Sequence, residues 1–424
     1  MPMNSGGAKS AVPKPAAPMD TLPVQAPAAG FDLLAGVRVI DLSTSIAGPY
    51  AAMLLGDMGA EVIKIERPGS GDDARAWGPP FIDGDSLWYV AVNRNKRSVA
   101  LDFSTPRGRN ALHALIRTSD VVIVNQPPRV QTKLAIDAAT CRELRADIVH
   151  ASITGFGLEG ERSDWTCYDL IAEGYSGVMD LTGEPGSPPQ KVGTPAADML
   201  AGADAAFATV AALFDRARTG RGRTIDVSLV ESMTRFLACR IVPFLASGEV
   251  PRRSGGKDSV IAIYQAFDTA DLPITLGLGN DGIWQRFWSA VGQPDVAAEP
   301  RYAANSDRRA HRAEIVARIQ SVLIEKPRDH WLAVFAKARV PAGPINRVDE
   351  VASDRELQRR GLFFNLAAEG RLLPQVGTGF HVDGRANGAR LAPPKLGAST
   401  EEVLREIAGL GADEIEELRR GGEI

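Results

Sequence analysis

The sequence predicts an α/β protein: a mostly parallel sheet covered on both faces, with a second, smaller α+β domain. Apolar runs of strand length alternate with helical periodicity from residue 37 to about 225, and the connections between them are short. Near residue 250 the texture changes to a glycine-rich connector, a hairpin and a group of helices. The length of 424 residues also exceeds what one core usually holds.

The leader MPMNSGGAKSAVPKPAAPMDTLPVQAPAAG is rich in Pro, Gly and Ala and has no compact apolar segment, so residues 1–31 read as a disordered leader. VRVIDLS (37–43) reads as a buried strand, and AGPYAAMLLGDMG as a helix stopped by Gly59. AEVIKIE (60–66) and SVALDF are the next strands. TPRGRNALHALIRTS is a helix with Pro106 in its first turn, followed by the strand DVVIVN (120–125). A helix over roughly 134–144 and a strand in ADIVHASITGF continue the alternation. YDLIAEGYSGVMD (168–180) and the alanine-rich tract from Met199 to Arg218 are helical. RTGRGRTIDVSLVESMTRFLAC gives a turn, a strand and a helix. Beyond PRRSGGKDS, IAIYQAFDTADLPITLGLG reads as a hairpin, with helices over 282–292, 308–325 and 327–337. GLFFNLA and RLLPQVGTGFHV read as sheet, and two short helices close the tail.

Composition excludes several functions. A net charge of −4 and a pI near 5.9, with no basic stripe, argue against nucleic acid as a partner. Three scattered cysteines and five scattered histidines form no metal-ligand spacing and fit a reduced, cytoplasmic setting. No run of 18 unbroken apolar residues offers a membrane span. GFGLEG (155–160) lacks a following helix, and GLGNDG (277–282) sits in a hairpin context, so neither satisfies the dinucleotide pattern. Asp72–Asp73 reads as a pair of solvated loop acids. HExxH and GxSxG motifs do not occur.

Six segments are specific together: VRVIDLSTSIAGPYAAMLLGDMGAEVIKIERPGSGDDAR, NRNKRSVALD, DVVIVN, YDLIAEGYSGVMDLTGEPGSPPQKVGTPAADMLAG, RTGRGRTIDVSLVES and VPAGPINRVDE. In this order they resemble the family III CoA-transferases, the group of formyl-CoA:oxalate and carnitine CoA-transferases. The resemblance runs from residue 32 to the end. It implies a large Rossmann-like domain built from both chain ends, a smaller domain inserted between, and two subunits interlocked as a homodimer. On that reading 1–31 is leader, 32–225 the first part of the large CoA-binding domain and 226–245 a linker helix region. The small domain is then 246–344, and 345–424 completes the large domain.

The resemblance gives meaning to Asp198, which stands in SPPQKVGTPAADMLAG with no charged neighbour after Lys191. It matches the family's nucleophilic aspartate, whose carboxylate exchanges acyl groups with CoA thioesters through anhydride and thioester intermediates. A helix N-terminus at this point favours an ionised carboxylate, and an N-cap aspartate is the plain structural alternative. By the same resemblance Arg67, Leu101, Asp102, Asn125, Lys133 and Tyr168 line the CoA cleft. Arg67 grips phosphate or stacks on adenine, and Tyr168 lies near the thioester. Acyl-CoA and a carboxylic acid are the implied partners, with coenzyme A a substrate and no cofactor permanently bound.

Two departures bear on substrate. Ile46 replaces the glutamine beside the AGP motif of the formyl-CoA transferases, which disfavours oxalate, and RRSGGKDS is shorter than their four-glycine loop. The alternative enzyme is an α-methylacyl-CoA racemase of the same fold. Its catalytic histidine aligns with Tyr168, a poor base at neutral pH, although Asp169 persists beside it. A non-catalytic CoA-binding scaffold is the other alternative.

Overall fold

The computed structural model describes residues 18–28, 30–368 and 370–424. The chain divides into two compact units: one holds residues up to Ile123, Ala139–Ile148 and Val348–Ile424, the other Val124–Ala138 and Val149–Arg347. Residues 149–225, expected with the first part of the large domain, thus cluster with the 246–344 segment.

The first unit is organised around parallel strands in the order Lys96–Ala100, Glu61–Glu66, Arg38–Asp41 and Val121–Val124. Their near-continuous burial is what a sheet covered on both faces requires. The helices Ala47–Asp57 and Pro106–Arg117 follow the first and third strands in chain order. Thr105 caps the latter by accepting from Gly108 N, with Pro106 in the first turn as expected. Gly59 ends the earlier helix at φ +112°, and a Cβ there would meet Phe31 O at 2.8 Å.

Both ends of the chain build this unit. Residues 1–17 of the expected leader lie outside the described residues. Residues 18–28 correct the expectation of disorder, because Val24–Gln25 pairs in parallel with Phe363–Ala368, itself in a hairpin with Arg371–Val376. Two strand residues need only backbone partners and leave no apolar period to read. Asn365 Nδ2 donates to Met19 O at 2.6 Å, and Ala28 N to Ala389 O at 3.0 Å. The tail also docks on the parallel sheet: Asp102 N donates to Glu423 O (2.8 Å) and Ala100 N to Thr400 Oγ1 (2.9 Å).

A buried ion lattice crosses the parallel strands. Lys64 Nζ lies 2.9 Å from Asp72 Oδ2 and donates to Ser43 O. Lys96 Nζ lies 3.0 Å from Asp41 Oδ2 and donates to Pro49 O and Asn93 Oδ1. Burial opposes the charge on both lysines. Around Lys64 the carboxylates of Asp41, Asp72 and Glu66 outweigh it and push the pKa up, whereas Lys96 falls to about 8. Asp72 is therefore no solvated loop acid, in contrast to the sequence reading. It is buried against Lys64, and its Oδ1 accepts from Ser45 N at 2.9 Å, where Ser45 is held at φ +70°.

The second unit contains the parallel pair Val149–Thr154 and Thr224–Ser228, the helix Asp169–Ser176, and the 24-residue helix Ala196–Thr219. The long helix buries Ala197, Ala201, Gly202, Ala205 and Thr209, small residues that allow close packing. By length and composition it could cross a membrane, a test that core helices also pass. The same unit has an antiparallel sheet, Tyr264–Phe267, Ile274–Gly277 and Ala342–Pro344, which includes the expected hairpin. Its core is aromatic, with Trp284, Phe287, Trp288, Tyr302 and Phe335 fully covered. GLGNDG proves to be a helix start, where Asn280 Oδ1 accepts from Ile283 N at 2.9 Å. The helix expected over 134–144 starts later, as Ala138–Leu144, because Ala135 turns left-handed at φ 56°, and a separate helix, Pro128–Leu134, precedes it.

Candidate active site

Asp198 is the third residue of the Ala196–Thr219 helix, so it is not the N-cap. Pro195 holds that position and offers no side-chain acceptor. The capping acceptor comes from another helix: Asp169 Oδ1 accepts from Ala197 N at 2.8 Å and from Asp198 N at 3.3 Å. Asp169 opens its own helix, directly after Tyr168, whose carbonyl accepts from Ile171 N and Ala172 N.

This arrangement reverses the expected electrostatics. A free helix N-terminus would favour an ionised Asp198. Here Asp169 occupies those N–H groups, while Asp198 is half-buried beside it. Burial, with the nearby Asp169 carboxylate, pushes the Asp198 carboxyl up to about 7. The group is consequently poised between acid and carboxylate at neutral pH. Cys167 is also close: burial and the Asp198 carboxylate push its thiol up to about 11. It therefore remains a protonated, weakly nucleophilic neighbour near pH 7.

One residue of this cluster escaped the sequence reading. Glu173 has no solvent-accessible surface, and its Oε2 accepts from Val192 N at 2.8 Å in the segment leading to Asp198. Its i, i+4 spacing from Asp169 in YDLIAE was the available signal.

The other expected site residues fall into two sets. In the first unit Arg67 follows the Glu61–Glu66 strand. It is exposed and ion-paired with Asp73, and its Nε donates to Gly71 O at 3.3 Å. Leu101 is buried and its N donates to Glu66 O at 2.9 Å, which brings Leu101 and Asp102 beside Arg67 at the C-terminal ends of adjacent parallel strands. Such strand ends are the usual ligand position in open α/β sheets. Asp102 Oδ1 accepts from Ser104 N and Oγ, forming the turn into the next helix. Ile46 is buried and apolar in the same unit. In the second unit Tyr168 is adjacent to the Asp169 cap, Asn125 is half-buried at the head of its segment, and Lys133 is exposed in the last turn of Pro128–Leu134.

RRSGGKDS also acquires a definite place. Gly255 N donates to Gly183 O (3.0 Å), and Arg253 reaches Ser187 O (2.7 Å) and Asp180 Oδ1 (3.0 Å). The loop is thereby fastened to the turn that precedes the segment entering the Asp198 helix. Its residues Gly255, Gly256, Lys257 and Asp258 border a cavity of about 600 Å³ shared with Tyr264, Thr275 and Gly343.

The sequence profile of CoA-transferase family III matches residues 34–400. A succinate–glutarate CoA-transferase of Agrobacterium fabrum is 39% identical over 381 residues, covering 88% of this chain and 95% of its own. The human succinyl-CoA:glutarate CoA-transferase is 33% identical, with coverage of 92% and 90%. An acetyl-CoA:oxalate CoA-transferase of Acetobacter aceti is 35% identical over 79% of this chain and 85% of its own. Among solved structures, a CAIB/BAIF family protein from Brucella suis superposes with a TM-score of 0.78 at 36% identity, covering 89% of this chain and all of that one.

Proposed function

The chain belongs to CoA-transferase family III, and from that membership we propose that Asp198 is the nucleophile with which it moves CoA between an acyl-CoA and a carboxylic acid. The observation that carries this assignment is the desolvated Asp198 carboxyl, raised to about 7 at the head of a helix capped by a second acid. The Asp198 carboxylate attacks the thioester carbonyl, the C–S bond breaks, and CoA leaves as thiolate from a mixed anhydride. Thiolate then attacks the aspartyl carbonyl, releasing the donor acid and leaving an aspartyl-CoA thioester. The acceptor carboxylate displaces CoA from that thioester, forming a second anhydride. Attack of thiolate on the acceptor's acyl carbon frees Asp198 and the new acyl-CoA.

Arg67, Leu101, Asp102, Asn125, Lys133 and Tyr168 are the CoA-contact residues of this proposal. The guanidinium of Arg67, exposed at a strand end, suits phosphate. For the carboxylic acid, the names of the relatives favour dicarboxylates of succinate or glutarate length. Buried Ile46 offers no hydrogen-bonding group where the formyl-CoA transferases carry glutamine, which disfavours oxalate, whose two carboxylates are joined directly, even though one relative uses it.

The working form is an interlocked homodimer in the cytoplasm, with the large domain drawn from both chain ends. Large apolar side chains support a second copy as the cover: Phe207 and Phe214 on the Asp198 helix are 77% and 67% exposed, and Leu245 is 72% exposed. The helix Ala238–Ser247, ACRIVPFLAS, is mostly apolar yet buries no residue. The test of the nucleophile is mass spectrometry of the protein mixed with succinyl-CoA. An acyl or CoA adduct on the peptide containing Asp198 is expected, and an adduct confined to Cys167 would refute the assignment.

A further inference from the structure

Three carboxyl groups surround the start of the Asp198 helix, and the reaction as described uses one of them. Asp169 caps the helix. Glu173 has no role in the steps above, yet it is out of reach of solvent under a thin cover of protein. One of its oxygens is bonded to Val192 N; the other, Oε1, is buried with no hydrogen-bond partner. A buried carboxylate with a bare oxygen next to another acid is costly, and a proton on that oxygen removes the cost.

We propose that Glu173 is a positioning residue for the nucleophile: a neutral carboxylic acid that holds the Val192 segment through Oε2 and turns its proton toward the Asp169 carboxylate that caps the Asp198 helix. This rests on Asp198 being the nucleophile. Asp169 and Glu173 are one turn apart on a single helix, so both act from the same face. One fixes the N–H groups of Ala197 and Asp198, the other the chain five residues before Ala197, so the nucleophile's approach is held at two points. The charges facing Glu173 are Asp169 on its own helix and Lys191 on the opposing segment. Burial first, then Asp169, raises its pKa, while the Val192 N–H and Lys191 oppose the shift. When rising pH removes the proton, two adjacent carboxylates repel, and the cap and the segment separate.

The experiment compares wild type, Glu173→Gln and Glu173→Ala from pH 6 to 10, with succinyl-CoA and a panel of dicarboxylates. Glutamine keeps both an acceptor and a donor but cannot ionise. Wild type should show a rising limb near pH 7 and a falling limb at higher pH; E173Q should keep the rise and lack the fall. E173A should lower kcat by about 10- to 100-fold with KM for acyl-CoA changed less than about twofold, as for loss of a contact that holds the nucleophile's segment without touching substrate. E173Q should recover at least about tenfold of that loss. An E173Q profile that superposes on wild type, or an E173Q kcat as low as that of E173A, overturns the proposal. Adduct analysis separates this from the parent assignment. Adduct on the Asp198 peptide with no E173Q effect sinks only the role of Glu173, whereas its absence from wild type sinks the nucleophile.

Discussion

Replacing Asp198 with asparagine should abolish turnover and, at neutral to alkaline pH, stabilise the fold. The folded carboxyl titrates near 7, against an ordinary value of 3.8. The native state therefore binds the proton more tightly than the unfolded chain, and stability falls as pH rises between those values. Below about pH 4 both states are protonated and Asp198 imposes no penalty. Above about pH 7 the penalty is complete. Three pK units at about 1.4 kcal/mol each give about 4 kcal/mol as an upper figure, and a half-buried group retains roughly half of it or more. The assay is urea denaturation of wild type and Asp198→Asn at pH 4.5, 6 and 8.5 at one protein concentration. The variant should be more stable by about 2–4 kcal/mol at pH 8.5, with the gap shrinking steadily toward pH 4.5. A gap independent of pH, or a variant less stable at pH 8.5, would refute the reasoning that burial and Asp169 hold this carboxyl protonated.

Arg67→Ala should raise KM for acyl-CoA by about tenfold while leaving kcat within about twofold, since a phosphate contact made equally in ground and transition states contributes uniform binding; steady-state kinetics checks this. Lys64→Met strands the buried Asp72 carboxylate and should cost about 3–5 kcal/mol, seen as a fall in urea midpoint that lessens in acid. Arg253→Ala removes the bonds to Ser187 O and Asp180, loosening RRSGGKDS. On the proposal that this loop shields the aspartyl intermediate, as the four-glycine loop does in the formyl-CoA transferases, the ratio of acyl-CoA hydrolysis to transfer should rise severalfold, measured by free CoA release with and without acceptor. The intact chain should sediment as a dimer across a thousandfold dilution, given its uncovered Phe207, Phe214 and Leu245.

Strand–helix alternation made the parallel strands of the first unit readable, because VRVIDLS, AEVIKIE and DVVIVN are apolar runs bounded by turn residues. Asp198 was readable only through its surrounding motif: a lone acid at a helix start is ordinary. Its chemical state was not readable, since it is set first by burial in the fold and then by Asp169, 29 positions away in sequence. Asp72 misled for a similar reason. Its neighbours in the chain are polar, but the loop folds back on the Glu61–Glu66 strand that precedes it, where Lys64 meets it. The strand Val24–Gln25 was hidden because two residues carry no period, and its partners lie more than 300 positions downstream. Periodicity reports local burial; it is silent on contacts that fold topology alone creates.

The joining of both chain ends in one unit sets a timetable for synthesis. The parallel strands leave the ribosome early, but the hairpin that pairs with Val24–Gln25 and the helices that cap the sheet are encoded last. Apart from Ala139–Ile148, the stretch between Ile123 and Val348 belongs to the other unit, on the order of 200 residues. At about 5–20 residues per second the nascent sheet waits roughly 10–40 s with its edge and the Asn95 and Asp102 backbone groups unmatched. During that interval the second unit can complete itself, so its helices are in place before the first unit closes. A stall or cleavage near the C-terminus would therefore leave a finished Ala196–Thr219 helix and an unfinished sheet, a species exposed to aggregation through its open strands.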